Sequence, residues 1–89
     1  MQYFVGSFDG ETFSNENSSD QILWSDYGAD YYAAVDWSGI EGEKGEKYWL
    51  SWMSNWSYAQ DTPTSTWRNS TSLPRTMELT QTVEGLRLK

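Results

Sequence analysis

Turn signals cut this chain so often that only short extended segments fit between them. Asp9-Gly10 closes one segment, and Asp26-Tyr27-Gly28-Ala29-Asp30 separates two others. Ser38–Glu46 carries three glycines and four charged residues, as a hairpin loop would. Ser14–Asp20 is polar and reads as loop, Ala59–Ser70 is a long polar loop holding Pro63, and Glu84-Gly85 marks a late turn. The segments left over are Tyr3–Phe8, Gln21–Trp24, Tyr31–Trp37, Tyr48–Met53, Leu73–Thr80 and Leu86–Lys89. They are rich in aromatic and β-branched residues and predict strands. Within Tyr48–Met53, period two places Tyr48, Leu50 and Trp52 on one face. No segment has helical periodicity, and no internal repeat is legible.

The sequence therefore predicts an all-β antiparallel fold. The last four segments fit one four-stranded meander over residues 31–89. The first two fit the outer strands of a preceding unit, with its connecting loop, over residues 1–30. Short four-stranded sheets in series are the unit of a β-propeller, and this chain would hold about one and a half blades. A six-stranded sandwich or open barrel fits the same spacing. Six Trp, six Tyr and three Phe make up 17% of the chain. Such rings fill sheet cores, and their flat faces also stack on sugars.

Composition narrows the chemistry. A chain of 89 residues is not expected to build a large private core, and without cysteine it has no disulfide support. The absence of histidine removes the commonest general base and transition-metal ligand, and with them any Ser-His-Asp or Cys-His device. No EF-hand spacing is present, so neither metal nor cofactor is expected. The net charge of −7 argues against a nucleic-acid partner, which needs a basic face. That charge is uneven: residues 1–46 hold ten acids and only Lys44, whereas residues 47–89 hold three acids and five bases. No apolar run is long enough to span a membrane. Met1-Gln2-Tyr3-Phe4-Val5 has no leader character and reads as the interior of a strand, as in a piece of a larger fold. Sequons at Asn17, Asn55 and Asn69 would matter only along a secretory route.

Four segments carry a resemblance. Tyr3-Phe4-Val5-Gly6-Ser7-Phe8-Asp9-Gly10-Glu11-Thr12-Phe13 resembles the Y-F-V-G-x-F-D-G-x-x-F segment of glycoside hydrolase family 32, the invertases, inulinases and levanases. Asp26–Ala34 is similar to that family's D-x-G-x-D-[FY]-Y-A stretch, and Trp52–Ala59 to its W-[MA]-S-N-W-x-Y segment. Pro63-Thr64, Trp67-Arg68 and Ser72-Leu73-Pro74-Arg75 match a P-T…W-R…S-[LM]-P-R run. All four occur in family order and cover almost the whole chain. Two departures are Ser51, where the family often has Gly, and Thr76-Met77 ahead of Glu78-Leu79. The resemblance implies a position in the C-terminal part of a five-bladed catalytic propeller, in a family commonly secreted.

The family's nucleophile lies in an N-D-P-N-G segment, its transition-state stabiliser in R-D-P and its acid/base in E-C. None of these strings is present. Retaining glycoside hydrolysis needs two carboxyl groups about 5 Å apart, one attacking and one protonating the leaving oxygen. Asp26 and Asp30 are the only nearby pair to consider as substitutes, and Asp26 reads more simply as a turn residue bonded to backbone. The resemblance puts Asp30 beside the central pocket and Trp56 against the bound fructose, whose apolar face suits an indole. Asn55 either donates to a sugar hydroxyl or shapes its turn. Trp52 is read as core, Tyr32 as packed between blades, and Arg75 as a tie between strands. The substrate-binding candidates are thus Trp56, Asp30 and Asn55, with no catalytic residue.

Three functions follow. The chain is a catalytically incomplete part of a fructan- or sucrose-hydrolysing enzyme that retains some fructose-facing surface. Otherwise it is a weak carbohydrate-binding module, or a self-assembling structural β protein built from propeller blades. Its partners would be a fructose-containing saccharide, held weakly, and other copies of itself in a homo-oligomer.

Overall fold

The computed structural model describes residues 1–40 and 42–89. Among them there is no helix, and every paired strand is antiparallel. Of the Ser38–Glu46 hairpin loop, Glu41 lies outside the described residues.

The first predicted strand is divided in two. β1 (Gln2–Tyr3) pairs with β4 (Leu23–Trp24), whereas β2 (Gly6–Phe8) turns away to pair with β3 (Phe13–Asn15). Asp9 Oδ1 caps the β2–β3 turn by accepting from the Glu11 and Thr12 amides at 2.8 and 2.7 Å, while Gly10 takes φ +106°. Gly6 permits the close approach of the two strands, because a Cβ there would collide with the Ser14 carbonyl oxygen. β3 falls where the sequence predicts loop from Ser14 onward: Ser14 and Asn15 are polar and exposed, yet they pair with β2.

β5 (Tyr32–Asp36), β6 (Lys47–Trp52) and β7 (Arg75–Met77) form a three-stranded sheet in that order. β8 (Leu79–Thr82) and β9 (Gly85–Leu88) form a hairpin. The predicted strand Leu73–Thr80 is therefore divided too. Its first part bonds to β6 and its second to β9, with Glu78 already bonded to the Lys89 backbone in both directions at 3.0 and 2.8 Å. Only Glu78 separates β7 from β8, and the residue pattern carries no mark of the change of partner.

The core is small: Val5, Leu23, Tyr31 and Ala59 are its buried apolar residues. An apolar seam of about 250 Å³, lined by residues that include Val5, Phe13, Trp49, Leu79 and Leu88, separates the amino-terminal hairpins from the carboxy-terminal ones. The Tyr3 hydroxyl crosses to accept from the Leu88 amide at 3.2 Å, and Arg87 donates to Asn17 Oδ1 at 3.2 Å. Ser51, Ser54 and Ser72 are buried among these elements. Ser72 Oγ accepts from the Ser51 amide at 3.0 Å, and the Ser72 amide donates to the Ser51 carbonyl at 2.8 Å. The two backbones lie close here, which accounts for a small residue at position 51.

Candidate functional site

The site is built where β6 ends. The strand leaves Trp52 beside Tyr32 of β5, with ring centroids 6.0 Å apart in an edge-on arrangement. The chain then turns through Asn55. Its Oδ1 accepts from the Ser57 amide at 3.0 Å and the Ser57 hydroxyl at 2.6 Å, and its carbonyl accepts from the Tyr58 amide at 3.1 Å. Asn55 thus shapes the turn, and its amide nitrogen has no hydrogen-bond partner among the described residues. The turn throws Trp56 back over Trp52, centroids 4.9 Å apart and planes inclined by 60°. Trp56 rests on Trp52 yet is 71% exposed.

Trp56, Asn55 and Ser54 line one depression of about 220 Å³ with Tyr31, Tyr32, Ala29 and Met1. Tyr32, predicted to pack between blades, is half-exposed and forms part of this wall. A bulge brings it there: the β5–β6 register shifts between Tyr32 and Val35, and Ala33 takes φ +49°. Trp52, predicted as core, is the half-buried support beneath Trp56.

Asp30 stands between two lining residues without itself lining the depression. It is partly buried, and Oδ1 is a buried acceptor with no hydrogen-bond partner among the described residues. The Tyr31 hydroxyl is likewise buried and unpartnered. The nearby Asp30 carboxylate, with some desolvation, pushes the Tyr58 phenol above its ordinary value of 10.0. The structure thus gathers Trp56 and Asn55 on one wall, whereas Asp30 is only the sequence neighbour of two other lining residues, Ala29 and Tyr31.

Asp26 is committed elsewhere. Its Oδ1 accepts from the Gly28 amide at 2.6 Å, and its Oδ2 meets the Arg75 guanidinium at 2.7 Å. The hydrogen bond from Arg75 and that from Gly28 hold its carboxyl below the ordinary 3.8. Such a group is an anion at neutral pH and has no proton to give, so Asp26 and Asp30 do not form an acid/base pair. Arg75 also lies over the Tyr31 ring, 4.5 Å from its centroid, which ties β7 to the Asp26 turn.

The sign of the resulting pH dependence follows from that depression. A carboxyl whose folded pKa lies below its unfolded value adds stability above the unfolded value, and the gain disappears as pH falls through the folded one. Arg75→Met is therefore expected to cost about 1 kcal/mol at pH 7, a modest figure because the guanidinium is half-exposed. Urea titrations at pH 7 and pH 3 would check this. The difference between wild type and variant should shrink at pH 3, and an equal difference at both pH values would rule out the ion pair as its source.

The whole sequence, residues 1–89, matches the family described as glycosyl hydrolases family 32, N-terminal domain. A levanase from Bacillus subtilis (strain 168) is 56% identical over 88 residues, which are 99% of this chain and 13% of the levanase. The crystal structure of exo-inulinase from Aspergillus awamori superposes with a TM-score of 0.81 at 35% identity, over 98% of this chain and 17% of that one. The fructofuranosidase from Schwanniomyces occidentalis, solved in complex with fructose, gives a TM-score of 0.74 at 43% identity over the same shares. These neighbours are five-bladed propeller enzymes, which resolves the choice left open between propeller, sandwich and barrel. The chain spans only a small part of the length of each relative.

Proposed function

The chain belongs to glycosyl hydrolase family 32, and from that membership we propose that it is part of the propeller of a fructan- or sucrose-cleaving enzyme, supplying fructose-facing surface but none of the catalytic carboxylates. Residues 31–89 would form one blade and residues 1–30 the outer strands of the one before it.

The observation that carries this reading is the exposed Trp56 ring, braced on Trp52 at the edge of a concave site. A furanose has one apolar face, and a rigid indole covers it at little cost in conformational entropy. The polar groups around the ring suit a sugar's hydroxyls. Asn55 lines the depression and has a free amide donor, to which a sugar hydroxyl can bond as acceptor. Asp30, the other polar candidate, would reach a sugar only where the rest of the propeller opens its buried Oδ1. In the whole protein the nucleophile and the acid/base would come from residues outside these 89. The hydrolase membership weighs against a stand-alone binding module or a structural protein.

A fructose titration followed by Trp fluorescence tests the reading. Binding by this chain is expected to be weak, at about millimolar or poorer, because a small open depression buries little of the ligand. Trp56→Ala should weaken it several-fold, since a stacking contact is worth about 1 kcal/mol. Trp24→Ala is the control: its ring is also half-exposed but does not line the depression. Equal losses from the two substitutions would remove Trp56 as the sugar-facing residue.

A further inference from the structure

Trp56 is only as well placed as the ring it rests on, and Trp52 is held from outside its own strand. Its indole Nε1–H donates to Oδ1 of Asn69 at 2.9 Å, from a loop 17 residues further along the chain. An indole nitrogen can only donate, so the bond fixes which end of the Asn69 amide faces the ring. The loop is itself fixed at that point. The Ser70 carbonyl accepts from the Met53 amide at 2.8 Å, Thr71 bridges to Trp52, and the Ser72 amide donates to the Ser51 carbonyl at 2.8 Å. Asn69 sits just ahead of this ladder with φ +80°. Glycine and asparagine adopt that conformation at least cost. Glycine would serve the backbone equally well and leave the indole unbonded; asparagine serves both.

We propose that Asn69 is a positioning residue for sugar recognition, acting by locking the Trp52 indole in the orientation on which Trp56 stacks. The inference rests on the reading of Trp56 as the fructose-facing ring. Tyr32 meets Trp52 edge-on, Trp56 lies against it, and Asn69 fixes its rotation about the side-chain bonds. A platform fixed before the ligand arrives loses less freedom on binding.

The test uses the 89-residue chain, fructose as probe, and the indole N–H resonances of its six Trp as a structural monitor. Asn69→Gly keeps the backbone conformation and removes the acceptor. It is expected to shift the one indole resonance that Trp52→Phe deletes, and to weaken fructose binding about five-fold, the worth of one net hydrogen bond. Asn69→Asp keeps an acceptor oxygen and should retain both resonance and affinity. Trp52→Phe should weaken binding by a similar factor, with no further loss when added to Asn69→Gly. If Asn69→Gly binds fructose like wild type while Trp56→Ala does not, the positioning role is overturned and the reading of Trp56 stands; a shifted resonance with unchanged affinity has the same meaning. If Trp56→Ala leaves affinity unchanged, both fall.

Discussion

Incubated with sucrose, inulin or levan, the purified 89-residue chain is expected to release no fructose above background. The reaction needs one carboxylate to attack the anomeric carbon and one carboxylic acid to protonate the departing oxygen. A positioned general acid or base alone contributes about 10²–10⁴-fold in rate, and the strings that hold the family's nucleophile and its acid/base are both missing here. The acids that remain are poor replacements. Asp26 is fixed as an anion by Arg75 and the Gly28 amide. Asp30 does not line the depression, and no other carboxylate among the described residues does. An exposed indole and an amide can hold a sugar, but neither supplies a nucleophile. Turnover that survives repurification and disappears in Asp26→Asn or Asp30→Asn would overturn this reading.

The elements that place the site were legible because their residues state them locally. Tyr31–Trp37 and Tyr48–Met53 are aromatic segments between strong turn signals, and both form strands to within a residue or two. Asp26 reads as a turn acid bonded to backbone, and it is one; Arg75 reads as a tie, and it bonds a carboxylate 49 residues away. What stayed hidden depends on partners distant in sequence. Phe13–Asn15 pairs as a strand although two of its three residues are polar, because its neighbour and not its composition holds it. The changes of partner at Phe4-Val5 and at Glu78 take only one or two residues between short strands, so period-two patterning is silent about them. Ala33 has no preference for the left-handed conformation it adopts, yet the bulge there carries Tyr32 to the wall of the depression. Asn69 read only as part of a sequon, since its bond to Trp52 spans a long loop.

In sedimentation equilibrium at micromolar concentration, the chain is expected to appear as a multiple of 10.3 kDa and not as a folded monomer. The accessible surface of the single chain is 7018 Å². A compact monomer of this mass would expose about 5,400 Å², so roughly 1,600 Å² is in excess, about twice what one partner contributes to a standard protein interface. The radius of gyration agrees: it is 15.9 Å, against about 12 Å for a compact domain of this length. Among the described residues no large side chain is fully buried, and Phe4, Phe8, Phe13, Trp24, Trp37 and Trp67 are all substantially exposed. β5 and β7 leave their outer edges unpaired by other strands of the sheet, and such edges accept a strand from another chain. A closed propeller covers these faces with adjacent blades. An isolated chain has only other copies of itself for the purpose. The acidic first half and mildly basic second half favour a head-to-tail arrangement, and a soluble product implies that the arrangement closes. Because the buried area arises between copies, dilution should lower mass and near-ultraviolet circular dichroism together. A species of 10.3 kDa that unfolds cooperatively, with a midpoint independent of concentration, would show that one chain buries its faces unaided.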